Sequence, residues 1–281
     1  MKIYVNNIAI NYSKVGDGPP ILLLHGYPQT SQMWHKLILL LKDKYTLVAT
    51  DLRGYGKSSK PISNSTHSTY SKRIMAQDQH LLMKKLGFKK YICIGHDRGA
   101  RVAHRLALDY SSALSKLIII DIVPTLHVYE NLDKSIAENF FHWFFLSQRY
   151  PIPEKIINAN KEYYVRTMLG RLGKTEKFLD NKTIKHYIKS FNIAVIKSSC
   201  EDYRAGSTID LKHHKNDKVK INCPTLILWG KKSLVGKNFE PLKVWKKYCT
   251  NVTGNGISGG HYLPEECPNK VYNNIIRFIN N

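Results

Sequence analysis

The chain has 281 residues, 43% of them hydrophobic and 23% charged. That length and balance fit a globular protein of one or two domains, and exclude a disordered chain or a disulfide-stapled miniprotein. The longest apolar runs, such as Leu117–Ile120 and Phe140–Leu146, fall far short of a membrane span, and the N-terminus shows no apolar segment with a cleavage site. Neither a transmembrane helix nor a secretory leader is expected.

Lys and Arg number 43 against 21 acidic residues, a formal charge of +22. An excess of that size raises nucleic acid or an anionic membrane as partners. The charges, however, fall as singles and pairs, for example Lys84-Lys85 and Lys246-Lys247, with no basic block of five and no nucleic-acid motif. A solvated, lysine-rich surface is therefore expected, with no nucleic-acid or membrane partner, and its field would draw small anions. The five cysteines (Cys93, Cys200, Cys223, Cys249 and Cys267) are odd in number, widely spaced and without a CxxC pair. Reduced thiols in a cytoplasm, and no metal site, are the expectation.

In chain order, Lys2–Val5 and Ile8–Tyr12 read as a hairpin turning at Asn6-Asn7. Gly16 to Pro20 is a turn. The wholly apolar run Ile21–Leu24 has the character of a buried parallel strand, and Tyr45–Ala49, Tyr91–Ile94, Leu117–Ile120 and Thr225–Trp229 repeat it. Helical patterns at Met33–Leu41, Ser71–Leu86 and Ala100–Asp109 separate the strands. That alternation predicts an α/β fold with a mostly parallel, doubly wound sheet. It stops after Pro124. From 125 to 217 the sequence reads as helices with aromatic stripes, such as Phe140 to Phe145, and the sheet pattern resumes at Cys223-Pro224. The expected organisation is a core domain of residues 1–124 and 218–281, with a helical cap domain of 125–217 inserted after the sixth strand.

The chemistry concentrates at Gly95-His96-Asp97-Arg98-Gly99-Ala100, directly after the strand Tyr91–Ile94. Gly-x-nucleophile-x-Gly between a strand and a helix is a nucleophile elbow: small residues permit a tight turn that exposes the central side chain at the sheet edge. Here that side chain is aspartate, where serine is usual. A serine attacking a saturated carbon would leave an ether that water cannot readily remove. An aspartate leaves an ester, which a histidine-activated water can hydrolyse. Asp97 therefore points to an alkyl halide or an epoxide as electrophile and away from ordinary esters.

An acid and then a histidine should follow the nucleophile. His261 lies in the glycine-rich loop Ser258-Gly259-Gly260, where such folds place the base. The acid has two candidate places. The loop Gly230 to Ser233 after the strand Thr225–Trp229 holds no carboxylate, so Asp121, directly after Leu117–Ile120, is the choice. His25-Gly26-Tyr27-Pro28 follows the third strand, and the backbone N–H groups of Tyr27 and Arg98 are expected to serve the oxyanion. The loop Asp51 to Ser58 is expected to pack beneath the site. Arg98 and Arg101, three apart at a helix start, offer planar paired donors that match a carboxylate. Taken alone, Arg101 could equally be solvated, and periodicity alone favours a core stripe for His142-Trp143.

With these residues the sequence resembles the α/β-hydrolase superfamily and, within it, the haloacetate (fluoroacetate) dehalogenases, over nearly the whole chain. The narrower signals are Gly95 to Arg101, Asp121-Ile122-Val123-Pro124, His142-Trp143 and Asp202-Tyr203-Arg204-Ala205-Gly206. The resemblance implies a cofactor-free hydrolysis of a small anionic 2-haloacid, with Asp97 as nucleophile and Asp121 and His261 completing a triad. It implies that Arg98 and Arg101 hold the substrate carboxylate, that His142, Trp143 and Tyr203 surround the leaving halide, and that the protein is a homodimer. Epoxide hydrolases share the aspartate nucleophile but need two cap tyrosines to protonate the alkoxide, for which Tyr163, Tyr164, Tyr187 and Tyr203 are available.

Overall fold

The computed structural model describes residues 1–170 and 178–281. Eight strands form one sheet: β1 (Lys2–Val5), β2 (Ile8–Val15), β3 (Pro20–Leu24), β4 (Thr46–Thr50), β5 (Tyr91–His96), β6 (Leu114–Ile120), β7 (Thr225–Gly230) and β8 (Val252–Ile257). Their spatial order is β1-β2-β4-β3-β5-β6-β7-β8. β1 and β2 make the antiparallel hairpin, with Asn6 and Asn7 both at positive φ in its turn, a conformation asparagine tolerates well. From β4 to β8 every neighbouring pair is parallel. The central strands carry Ile, Leu and Val on both faces because helices cover both faces of a parallel sheet, and Leu22, Leu23, Ile94, Ile118 and Ile119 have no exposed surface.

The expected strands are all present, shifted at their ends by a few residues. β8 was not legible in the sequence. Its run Val-Thr-Gly-Asn-Gly-Ile is glycine-rich and poor in the usual strand formers. The glycines answer crowding rather than a turn: a Cβ at Gly254 would stand 2.3 Å from the Ile227 carbonyl oxygen on β7. The helix expected from Met33 divides into a short 3-10 turn, Ser31–Trp34, followed by α1 (His35–Leu41). α2 (Lys72–Lys85) and α3 (Arg98–Asp109) lie side by side, and α3 contacts β3, β5 and β6.

Between β6 and β7 every described element is a helix: α4 (Thr125–Glu130), α5 (Lys134–Asn139), α6 (Phe141–Leu146), α7 (Ile152–Ala159), α8 (Lys161–Leu169), α9 (Asn181–Ser190), α10 (Ile193–Ser207) and α11 (Ile209–Asn216). After β7 come α12 (Leu234–Asn238) and α13 (Pro241–Trp245), and after β8 come α14 (Leu263–Glu266) and α15 (Pro268–Asn280), which packs on α1. No helix among the described residues is long and apolar enough to cross a membrane. All five cysteines are unpaired, and four are buried.

Strand order places the site. β4 lies on one side of β3 and β5 on the other, so the loops leaving β3 and β5 diverge at the carboxyl edge of the sheet. Such a switch point opens a crevice where ligands bind. α3 enters it against β3 with no clearance: a Cβ on Gly99, in its first turn, would lie 2.2 Å from the Leu24 carbonyl oxygen. Gly99→Ala is expected to cost about 3 kcal/mol or more of stability, because rigid backbone has to move. Urea denaturation of the variant checks this; an unchanged midpoint would mean that α3 is free to shift.

Candidate active site

β5 ends at His96 and α3 begins at Arg98, leaving one residue, Asp97, to turn the chain. Its backbone sits at φ 48°, ψ −117°, a region a non-glycine residue occupies at a cost of about 1–3 kcal/mol. The turn closes because its flanks are glycine: a Cβ on Gly95 would meet the Cα of Ala100 at 2.6 Å. The strain is held by the sheet, since the Asp97 N–H donates to the Ile120 carbonyl on β6 and the Arg101 N–H to the Asp97 carbonyl. The result is a carboxylate aimed out of the sheet edge, 9% exposed.

Asp97 Oδ1 accepts the Tyr27 backbone N–H at 2.8 Å. Oδ2 lies 3.7 Å from His261 Nε2. The other ring nitrogen, His261 Nδ1, is 2.6 Å from Asp121 Oδ2. Asp121, at φ 55° just beyond β6, has no exposed surface. Its Oδ1 accepts from the Gly230 N–H at 2.8 Å and the Ser233 hydroxyl at 2.7 Å. The three residues proposed from sequence are thus brought together from three loops in the order carboxylate, imidazole, buried carboxylate. Tyr27-Pro28 is a cis peptide bond.

Electrostatics favour an ionised Asp97. Burial alone would raise its pKa, but the adjacent His261 imidazole, the neighbouring His96 and the Tyr27 N–H together bring it well below the usual carboxylate range. A carboxylate that remains charged while largely desolvated is a competent nucleophile that needs no base.

The two arginines have different surroundings. Arg98, 2% exposed, is forked onto Asp202 of α10: Nε to Oδ2 at 2.9 Å and Nη2 to Oδ1 at 2.7 Å. Nothing in the sequence pointed to this ion pair, although Asp202 stands in one of the motifs noted above. Arg101, 4% exposed, has no carboxylate partner among the described residues. Its Nη1 donates to the Val123 carbonyl at 3.1 Å and the Thr125 hydroxyl at 2.8 Å. Its guanidinium carbon lies 4.5 Å from the Trp143 ring centroid. Burial, and then the charge of Arg98, push its pKa down to about 10.

The aromatic residues of the insertion are buried and gather here. Tyr203 meets Tyr27 edge to face with centroids 5.3 Å apart and His142 at 5.9 Å, while the Arg98 guanidinium covers its ring at 4.1 Å. Burial, followed by the Asp97 charge, raises the Tyr203 phenol well above its ordinary pKa, so it stays a neutral donor. Trp143 lies against Arg101, Tyr129 and Phe140. A cavity of about 680 Å³ reaches both His142 and His261, with Ser233, Lys232 and Lys237 in its lining. Of the other tyrosines, Tyr163 is 68% exposed, Tyr187 donates to Glu265 at 2.8 Å, and Tyr164 accepts the Tyr27 hydroxyl at 3.0 Å.

Two supporting residues escaped the sequence reading. His96 Nε2 donates to the His261 carbonyl at 2.8 Å, tying the base's loop to the elbow. Ser233 occupies the loop after β7, the other place weighed for the acid, and donates to the acid instead. Beneath the site, Asp51 accepts the Ser31 and Lys57 N–H groups at 2.9 Å each, which fixes the loop that follows β4. Among the described residues no group of three His, Cys, Asp or Glu side chains is placed to hold a metal ion.

A tight strand–turn–helix carrying a carboxylate, with an acid and a histidine from later loops beside it, is the layout of a hydrolase of the α/β class. The chain belongs to the alpha/beta hydrolase fold family, which it matches over residues 19–266. It is 38% identical over 278 residues to a fluoroacetate dehalogenase of Burkholderia sp, covering 98% of this chain and 91% of that one. It is 30% identical over 280 residues to a soluble epoxide hydrolase of Corynebacterium sp. (strain C12), covering 98% and 95%. A crystal structure from Nostoc sp PCC 7120, described as an alpha/beta hydrolase, has a TM-score of 0.97 at 48% identity, covering 99% of this chain and 97% of that one.

Because Ser233 satisfies a fully buried carboxylate oxygen, Ser233→Ala is expected to slow turnover by about tenfold, and Ser233→Thr to recover most of the loss. Steady-state rates of the two variants, compared with their melting temperatures, test this. Full activity in Ser233→Ala would show that the Gly230 N–H suffices to hold Asp121.

Proposed function

We propose that the protein is a haloacetate dehalogenase, hydrolysing fluoroacetate or chloroacetate to glycolate and halide through an ester on Asp97. In this reading helices of 125–217 form a cap over the core of 1–124 and 218–281, and the substrate lies between them. Asp97 Oδ2 attacks the halogen-bearing carbon. The new C–O bond forms as the carbon–halogen bond breaks, and halide leaves with the bonding pair. His261, oriented by Asp121, then takes a proton from water, and the hydroxide adds to Cγ of Asp97. The tetrahedral oxyanion is held at the Tyr27 and Arg98 backbone N–H groups. Its collapse expels glycolate, which takes the proton back from His261, and Asp97 loses its own proton to solvent.

The observation that carries this reading is Arg101. A guanidinium buried one turn from the nucleophile, without a carboxylate of its own among the described residues, is matched by an anionic substrate. With Arg98 it supplies the donors for the substrate carboxylate. His142, Trp143 and Tyr203 would surround the halide, where neutral donors in a dry pocket replace its hydration. The epoxide alternative needs two free phenols facing the nucleophile. Tyr203 is one candidate and Tyr164, which accepts from Tyr27, is another, whereas Tyr187 donates to Glu265 and Tyr163 is 68% exposed; a neutral epoxide, however, offers no anion to match Arg101.

Halide release and diol formation, measured side by side on fluoroacetate, chloroacetate and neutral epoxides, test the assignment; diol without halide would overturn it. His261→Asn should release about one halide per active site and stop, leaving a carboxymethyl adduct that peptide mapping places on Asp97. Continued turnover, or an adduct elsewhere, contradicts the mechanism.

The depressed pKa of Asp97 has a sign that can be checked. A group lowered in the folded protein stays ionised until pH falls below the ordinary carboxylate value of about 4. The pre-steady-state halide burst of the wild-type enzyme should therefore keep its amplitude and rate from about pH 9 down to about pH 5. Rapid-quench measurement across that range tests it, and a burst that fades near pH 6 would mean Asp97 is protonated in the resting site.

A further inference from the structure

Asp202 is fully buried on α10 and is the hub of a charge cluster joining the helical insertion to the sheet domain. Besides the Arg98 fork it accepts the Tyr55 hydroxyl at 2.6 Å and the Lys72 ammonium, which also reaches Asp210 at 3.2 Å. Two cations, Lys72 and Arg98, thus face two anions, Asp202 and Asp210, and the cluster is neutral. Arg98 also donates from Nη2 to the Asp202 backbone carbonyl at 2.9 Å. Nε and Nη2 are consumed, and among the described residues Nη1 has no hydrogen-bond partner.

The same helix shapes the space around that free edge. Tyr203 covers the guanidinium face. Gly206, one turn after Asp202, stands where a Cβ would lie 3.4 Å from Nη2 and 3.7 Å from Nη1. Asp202, Tyr203 and Gly206 therefore form a saddle that fixes the plane of Arg98 and leaves Nη1 without a hydrogen-bond partner among the described residues.

We propose that Asp202 is a positioning residue for substrate binding: by forking Nε and Nη2 it turns Arg98 into a charge-neutral, single-edge donor to the substrate carboxylate and leaves Arg101, among the described residues, as the buried cation beside Asp97 that has no carboxylate of its own. The two arginines are then not equivalent. Arg101 supplies the charge that holds the anion. Arg98 supplies direction through Nη1, and the direction is set from the insertion. The inference rests on the dehalogenase reading for its substrate but not for its binding test.

Asp202→Asn retains one acceptor oxygen and loses the fork. Its KM for chloroacetate should rise by about tenfold or more while kcat falls less, and the dissociation constant for acetate, measured by calorimetry, should rise in parallel. Lys72→Met removes a neighbouring charge but leaves the Arg98 fork, so it should lower the melting temperature without moving the acetate constant. Arg98→Lys keeps the ion pair with Asp202 but has no Nη1, and it should reproduce the weakened acetate binding. It carries the test if Asp202→Asn does not fold. Unchanged acetate binding in Asp202→Asn or Arg98→Lys, or equal weakening in Lys72→Met, overturns the proposal in favour of a purely structural cluster. A wild-type protein that binds acetate but releases no halide would count against the dehalogenase reading and leave the role of Asp202 standing.

Discussion

Everything at the site depends on one turn, the single residue between β5 and α3. A parallel sheet delivers each strand to the same edge, and a helix that packs back on the sheet must reverse direction within a few residues. Doing so in one residue forces Asp97 to positive φ and brings α3 so near β3 that Gly99 cannot carry a side chain. The cost is local and the support is not. Ile120 on β6 anchors the Asp97 amide, and the His261 loop is tied back through His96. Asp97 is thereby held at the switch point of the sheet, with the Tyr27 N–H donating to one of its oxygens.

Charge is the second constraint. Asp97, Asp121, Asp202 and Asp210 are buried within one region, and four desolvated carboxylates would be untenable without compensation. Lys72 and Arg98 compensate the outer pair. The inner pair faces His261 and the lone Arg101. Asp97 stays ionised despite burial through His261, His96 and the Tyr27 N–H, and Arg101 stands beside it without a carboxylate partner among the described residues. The +22 charge of the chain is a separate matter: it resides largely in lysines spread along the sequence, and it acts on small anions only as a long-range field.

The helices between β6 and β7 meet the residues around Asp97 through a set of polar and aromatic contacts. α10 brings Asp202 to Arg98 and Tyr203 to Tyr27. α6 brings Trp143 to Arg101 and His142 to Tyr203. Face stacking on a guanidinium leaves its N–H edge free for a planar anion, so an aromatic residue beneath each arginine both excludes water and orients the donor. Residues that periodicity would assign to a hydrophobic stripe thus lie against the most polar groups of the protein.

The α/β alternation, the helical stretch after β6 and the elbow at Asp97 were legible in the sequence because each rests on local chemistry: apolar runs of strand length, helical spacing, and glycines flanking one carboxylate. The order Asp97, Asp121, His261 was legible because loops at one sheet edge follow chain order. The partners of those residues were not legible. Asp202 stands 104 positions from Arg98, and Ser233 stands 112 from Asp121. Only packing decides such distances, and sequence spacing carries no trace of them. β8 escaped for the converse reason, since its glycines answer to the crowding of β7 and not to their own preference. The sequence by itself determined that a carboxylate, Asp97, stands at the elbow and that Asp121 and His261 follow it on later loops of the same sheet edge. The tertiary structure decided which arginine is left without a counter-ion, because that depends on which of the two meets a carboxylate of α10 when the helices between β6 and β7 pack on the sheet.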